Sequence, residues 1–80
     1  MRLPRDVSGA DLAGRLIRLG YRITRQTGGH LRLTTERDGE HHITIPNHPT
    51  LRVGTLSATL SDLGQHHRLD RDEVLKLLLP

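Results

Sequence analysis

Hydrophobic positions along this chain change their spacing several times, and each change marks an element. Leu12, Ala13, Leu16, Ile17 and Leu19 recur at helical intervals behind Ser8, with Asp11 placed to complete a capping box and Gly20 to stop the run. This predicts a helix of about three turns. From Tyr21 the period drops to two: Tyr21 and Ile23 alternate with Arg22 and Thr24 in a first predicted strand, and Thr27-Gly28-Gly29 makes a turn. Leu31 and Leu33 alternate with His30, Arg32 and Thr34 in a second strand, Asp38-Gly39 signals a hairpin, and Ile43 and Ile45 belong to a third strand. Pro46 and Pro49 bracket a short P-N-H-P loop. Val53, Leu56, Leu60 and Leu63 then step by three and four into a second helix that stops near Gly64, and Asp70 with Glu73 opens a last short helix bearing Val74, Leu75, Leu77 and Leu78.

The predicted order is helix, strand, strand, strand, helix, with a short helix appended. Two hairpins make the sheet antiparallel, and the helices must cover one face of it to build a core. The fold class is therefore α+β. Side chains alternate across a strand, so Tyr21, Ile23, Leu31, Leu33, Ile43 and Ile45 are expected on the covered face. Arg22, Thr24, His30, Arg32, Thr34, His42 and Thr44 are expected on the other, a cationic face free of carboxylates. A solvated polar sheet face is the bland alternative.

Composition narrows the picture. Eighty residues imply a single domain, with a core at about 8–64 and a C-terminal helical extension over 65–80. Apolar residues make up 34% and aromatics 1%, so the core rests on Leu, Ile and Val with Tyr21 as its one ring. There is no cysteine, which excludes disulfides and thiolate metal sites and fits a reducing compartment. No apolar run is long enough to span a bilayer, and M-R-L-P-R-D lacks the apolar stretch of a signal peptide, so a cytoplasmic location is expected. The balance of 12 basic and 9 acidic side chains gives a formal +3, and all the basic residues except Lys76 are arginine. Arginine's planar fork grips phosphates, which favours a polyanionic partner; an arginine-rich surface without such a partner fits composition equally well.

Gly28-Gly29-His30, then the strand, then I-T-I-P-N-H-P at 43–49 and L-R-V-G-T-L at 51–56 carry a resemblance to the YcfA/HicA family of bacterial toxin ribonucleases. Gly20-Tyr21 resembles the glycine-aromatic pair that closes that family's first helix, and the similarity covers about residues 8–64. It implies an α-β-β-β-α fold like that of double-stranded-RNA-binding domains. It also implies cleavage of messenger RNA without a metal or other cofactor, and neutralisation by a HicB-like antitoxin in a hetero-oligomer. In the family a G-S-H motif carries the catalytic histidine, which maps onto His30; Gly29 stands where serine is usual.

The chemistry such a reaction needs is modest. A 2′-hydroxyl attacks the adjacent phosphorus, so a group must take its proton, charge on the phosphoryl oxygens must be offset, and the leaving 5′-oxygen must be protonated. An imidazole titrates near neutral pH and suits either proton transfer. His30 is the expected catalytic residue, Gly28 and Gly29 are expected to let the backbone approach a phosphate, and Arg32, Arg22 and Arg25 to contact the RNA. His42 is a candidate second acid or base or a solvated strand residue, and His48 a candidate RNA contact or turn support. Gly54-Thr55 at a helix start reads equally as an anion site or a plain first turn. A non-catalytic RNA-binding module of the same fold remains the alternative. His41, His66 and His67 show no repeating helical spacing, and with no cysteine to join them they read as surface residues.

Overall fold

The computed structural model describes residues 6–78. The M-R-L-P-R segment, read above for a leader, and the last two residues of the extension lie outside them. The observed order is α1 (Gly9–Arg18), β1 (Arg22–Gln26), β2 (His30–Thr35), β3 (His41–Pro46), α2 (Val53–His67) and α3 (Arg71–Leu78). This is the expected α+β layout, an antiparallel three-stranded sheet in the order β1-β2-β3.

Each helix start follows from its local chemistry. At α1 the Ser8 hydroxyl accepts the Asp11 amide at 2.9 Å and the Asp11 carboxylate accepts the Ser8 amide at 3.3 Å, the reciprocal pair the sequence predicts. Asp70 and Glu73 repeat the device at α3, with amide-to-carboxylate distances of 3.0 and 2.8 Å. α2 runs one turn past Gly64, to His67, and ends at Arg68 in the left-handed conformation. Gly64 is needed inside that helix for packing: a Cβ there would lie 2.7 Å from the Leu69 carbonyl oxygen, where the chain turns back toward α3.

One core collects Leu12, Ala13 and Leu16 of α1, Leu31, Leu33, Ile43 and Ile45 of the sheet, and Leu56, Leu60 and Leu63 of α2. Val74, Leu75 and Leu78 of α3 join the same cluster, and the Arg15 guanidinium donates to the Leu78 carbonyl at 2.7 Å, holding the end of α3 against α1. β1 is an edge strand whose residues are all exposed, and Ile23, expected in the core, is 43% exposed. Ile17 and Leu77 also face outward. The Asp38-Gly39 signal yields a longer connection than a two-residue turn: residues 36–40 link β2 to β3, with both Asp38 and Gly39 at positive φ.

Candidate nucleic-acid interface and cleavage site

His30 opens β2, the central strand, on the face away from the helices, and its ring is exposed. Its backbone is clamped by Thr27, whose amide donates to the His30 carbonyl at 3.0 Å and whose hydroxyl accepts the His30 amide at 3.2 Å. Thr27 was not singled out by the sequence; a hydroxyl three residues before a turn-flanking histidine is the signal that could have found it. Behind the turn, the Asn47 amide donates to the Gly29 carbonyl at 2.9 Å, so the P-N-H-P loop carrying His48 lies against the Gly28-Gly29 end of the sheet. The His48 carbonyl in turn accepts the Gly9 amide at 2.9 Å. A Cβ on Gly9 would collide with the Pro46 carbonyl oxygen, so this glycine lets α1 seat directly behind the residue that pairs with His30.

The fold itself makes no such demand at Gly28 and Gly29. Neither has a positive φ, and a Cβ on either would meet nothing within 4 Å among the described residues. Their lack of side chains leaves open space over the turn.

β1 departs from simple alternation in a way that changes the site. Arg22 pairs with Thr34 and Ile23 with Leu33, which in an unbroken ladder would set Arg25 opposite Leu31 on the helix-covered side; a bulge between Ile23 and Arg25 instead pairs Arg25 with Arg32. Two arginines thus stand directly opposite one another on the open face. Both are exposed, and neither has a carboxylate partner among the described residues. Opposed like charges destabilise a strand pair, and a shared anion relieves the repulsion.

The other end of the same face is compensated, contrary to the expectation that it lacks carboxylates. Arg22 is paired with Glu36 at 3.0 Å, and Glu40 lies 3.8 Å from His42 Nε2. The Arg22 guanidinium, through its hydrogen bond and its charge, holds the Glu36 carboxyl below the usual carboxylate range. His42 Nδ1 lies 2.8 Å from the Thr34 hydroxyl, which is itself 2.9 Å from the Thr24 hydroxyl, so Thr34 is buried on a face where exposure was expected. His42 pairs with Thr34, four residues along β2 from His30, which is about 13 Å at the rise of a strand. His42 therefore shares the face of His30 but lies too far away to act with it as an acid-base pair.

Three further histidines lie elsewhere. His41, His66 and His67, read from the sequence as surface residues, are half-buried and gather on the helix side, around Tyr21. Tyr21 Oη lies 2.8 Å from His41 Nδ1 and 2.9 Å from His67 Nε2; His41 Nε2 is 3.0 Å from Asp62, and His67 Nδ1 is 2.9 Å from Asp38. Burial, followed by the charges of Asp62 and Asp38, pushes the phenol pKa up to about 12. A buried tyrosine needs a partner for its hydroxyl, and that requirement at the only aromatic residue was the available signal.

Comparison with known proteins adds one match. The family model described as the HicA toxin of bacterial toxin-antitoxin matches residues 9–65, more than half of the chain. No curated protein and no solved structure matches it.

Proposed function

Because the chain belongs to the HicA toxin family, we propose that it is an endoribonuclease that cuts messenger RNA with His30 and is silenced by a HicB-like antitoxin. The observation that carries this reading is the uncompensated end of the open face, where an exposed imidazole shares the surface with the opposed pair Arg25 and Arg32.

In the proposed reaction the RNA backbone lies across β1 and β2 with a phosphodiester between the two guanidiniums. Their charge offsets that which builds on the phosphoryl oxygens during attack by the 2′-oxygen. His30 transfers a proton, either taking it from the 2′-hydroxyl or giving it to the departing 5′-oxygen. The bond from phosphorus to the 5′-oxygen breaks, and the products are a 2′,3′-cyclic phosphate and a 5′-hydroxyl. The other proton is exchanged with solvent or with His48, whose loop abuts the Gly28-Gly29 turn. Gly28 and Gly29 leave the space through which a phosphate approaches the backbone. Imidazole and guanidinium supply each step, so the cleavage uses no metal or cofactor. The antitoxin covers the same face in a hetero-oligomer. Among the described residues no helix is long and apolar enough to cross a membrane, and action on messenger RNA places the protein in the cytoplasm.

The test is to incubate the pure protein with single-stranded RNA in EDTA and analyse the new ends. Cyclic phosphate and 5′-hydroxyl termini are expected, together with growth arrest on induction that co-expression of a HicB-like antitoxin relieves. The separation of His42 from His30 gives the RNA-binding alternative its one support, since two imidazoles do not converge there. Intact RNA that is nevertheless retained by the protein would select that alternative.

A further inference from the structure

The histidine cluster around Tyr21 lies at the opposite end of the sheet from His30 and on its other face. His41 pairs with Thr35, five residues along β2 from His30, or about 16 Å at the rise of a strand. Its hydrogen bonds fix where the protons sit. His41 Nε2 faces the Asp62 carboxylate, His67 Nδ1 faces the Asp38 carboxylate, and His66 Nε2 faces the carbonyls of Arg37 and Gly39 at 3.0 and 3.1 Å. Each of these acceptors requires an N–H, so in the neutral imidazoles the lone pairs are on His41 Nδ1, His67 Nε2 and His66 Nδ1.

Two of those lone pairs point at one hydroxyl. Tyr21 carries a single proton, which can satisfy His41 Nδ1 or His67 Nε2 but not both, and the unsatisfied nitrogen then faces an oxygen lone pair at hydrogen-bond distance. The arrangement lacks one electron-pair acceptor. Two carboxylates stand behind the rings, as they do behind histidines that ligate zinc.

We propose that this cluster binds one divalent transition-metal ion of the zinc class through His41 Nδ1, His67 Nε2 and His66 Nδ1, with the Tyr21 oxygen beside the fourth position. The three imidazoles offer ligand atoms that all lie within 4.8 Å of one another. Zinc-nitrogen bonds of about 2.0–2.1 Å in a tetrahedral site put ligands about 3.3 Å apart, so the rings must close and turn to bring these three nitrogens onto one ion. His66 makes the largest move. It stacks flat on His41, with centroids 4.2 Å apart and planes 10° from parallel, and it must swing out of the stack to aim at the same point. Neutral nitrogen donors without thiolate favour zinc, nickel or copper over magnesium or calcium, and the Asp38 and Asp62 charges balance a divalent cation. Access is open: a cleft of about 210 Å³ reaches His67 between Leu19, Arg37, Asp38 and Leu63, and a second depression reaches His66 and His67 beside Arg68. The ion would join β3, the 36–40 connection and the last turn of α2, and so stabilise the fold without entering RNA cleavage.

The test uses the full chain, free of any histidine tag, with zinc chloride as the probe in calorimetry and thermal melts, and cobalt(II) as a spectroscopic substitute. Saturable one-to-one binding, a melting temperature that rises with zinc concentration and the intense visible bands of tetrahedral cobalt are expected. His67→Gln should weaken binding by about a hundredfold or more and His66→Gln by about tenfold, whereas His30→Ala leaves it unchanged. Should His67→Gln fail to fold, the less constrained His66→Gln still decides. Zinc that leaves the melting temperature of the parent unmoved, or binds both glutamine variants as tightly as the parent, overturns the assignment. A network whose stability responds to pH but not to zinc takes up a proton only, and that outcome overturns it too.

Discussion

The two ends of the sheet hold histidines in opposite circumstances. At one end His30 is exposed, its ring has no partner among the described residues, and it shares its face with two opposed cations, Arg32 on its own strand and Arg25 across from Arg32 on β1. At the other, His41 sits between Asp62 and Tyr21 and His67 between Asp38 and Tyr21, the two rings competing for the one phenol proton. A ring set between two partners holds elements together and is costly to disturb. One left uncommitted on a cationic surface is free to exchange a proton with a ligand. The difference lies in partners and burial, since the residue type is the same.

The largest effect that can break this contrast is at His30. His30→Ala should slow RNA cleavage by about 10²–10⁴-fold, the usual contribution of a general acid or base, while thermal denaturation stays at the parental value. Equal losses of activity and stability would place His30 among the structural histidines. The converse is expected of Tyr21→Phe: removing the hydroxyl takes the phenol proton from whichever of His41 Nδ1 and His67 Nε2 accepts it in a half-buried site and should cost about 1–3 kcal/mol in denaturant titrations, with cleavage below the transition intact.

Smaller changes sharpen the division within the open face. Arg25→Ala and Arg32→Ala should each reduce the slope of log affinity for single-stranded RNA against log salt by about 0.7, and Arg22→Ala by less, because Arg22 is already engaged with Glu36. The smallest effect concerns that pair and pH. The folded pKa of Glu36 lies below its ordinary value, so the stabilisation is present above the ordinary glutamate range and is lost as pH falls through the lowered folded value. Thermal melts of Arg22→Gln and the parent should therefore differ slightly at neutral pH and converge in acid, the offset being small for so exposed a pair.

Much of the fold is legible in the sequence, because the signals are local. The Ser8/Asp11 and Asp70/Glu73 capping boxes, the glycine stop after α1 and the alternation through β2 and β3 are statements about residues a few positions apart, and all hold. The placement of His30 and Arg32 on the open face followed from the same alternation. Ile23 failed because alternation says which side a residue faces and not how deeply it is buried on an edge strand. Arg25 joined the open face only through the bulge, which alternation alone does not reveal.

By itself, then, the order of residues determined the elements, their sequence along the chain, the side on which β2 and β3 side chains stand, and the family. Periodicity and capping act over one or two turns, and they are written in the chain directly. Only the tertiary structure decided which charges are compensated, that His42 lies too far from His30 to act with it, that Gly9 must be small behind Pro46, and that Tyr21 sits between His41 of β3 and His67 of α2. Those outcomes depend on distances between residues on different elements, set by register, bulge and helix packing acting together.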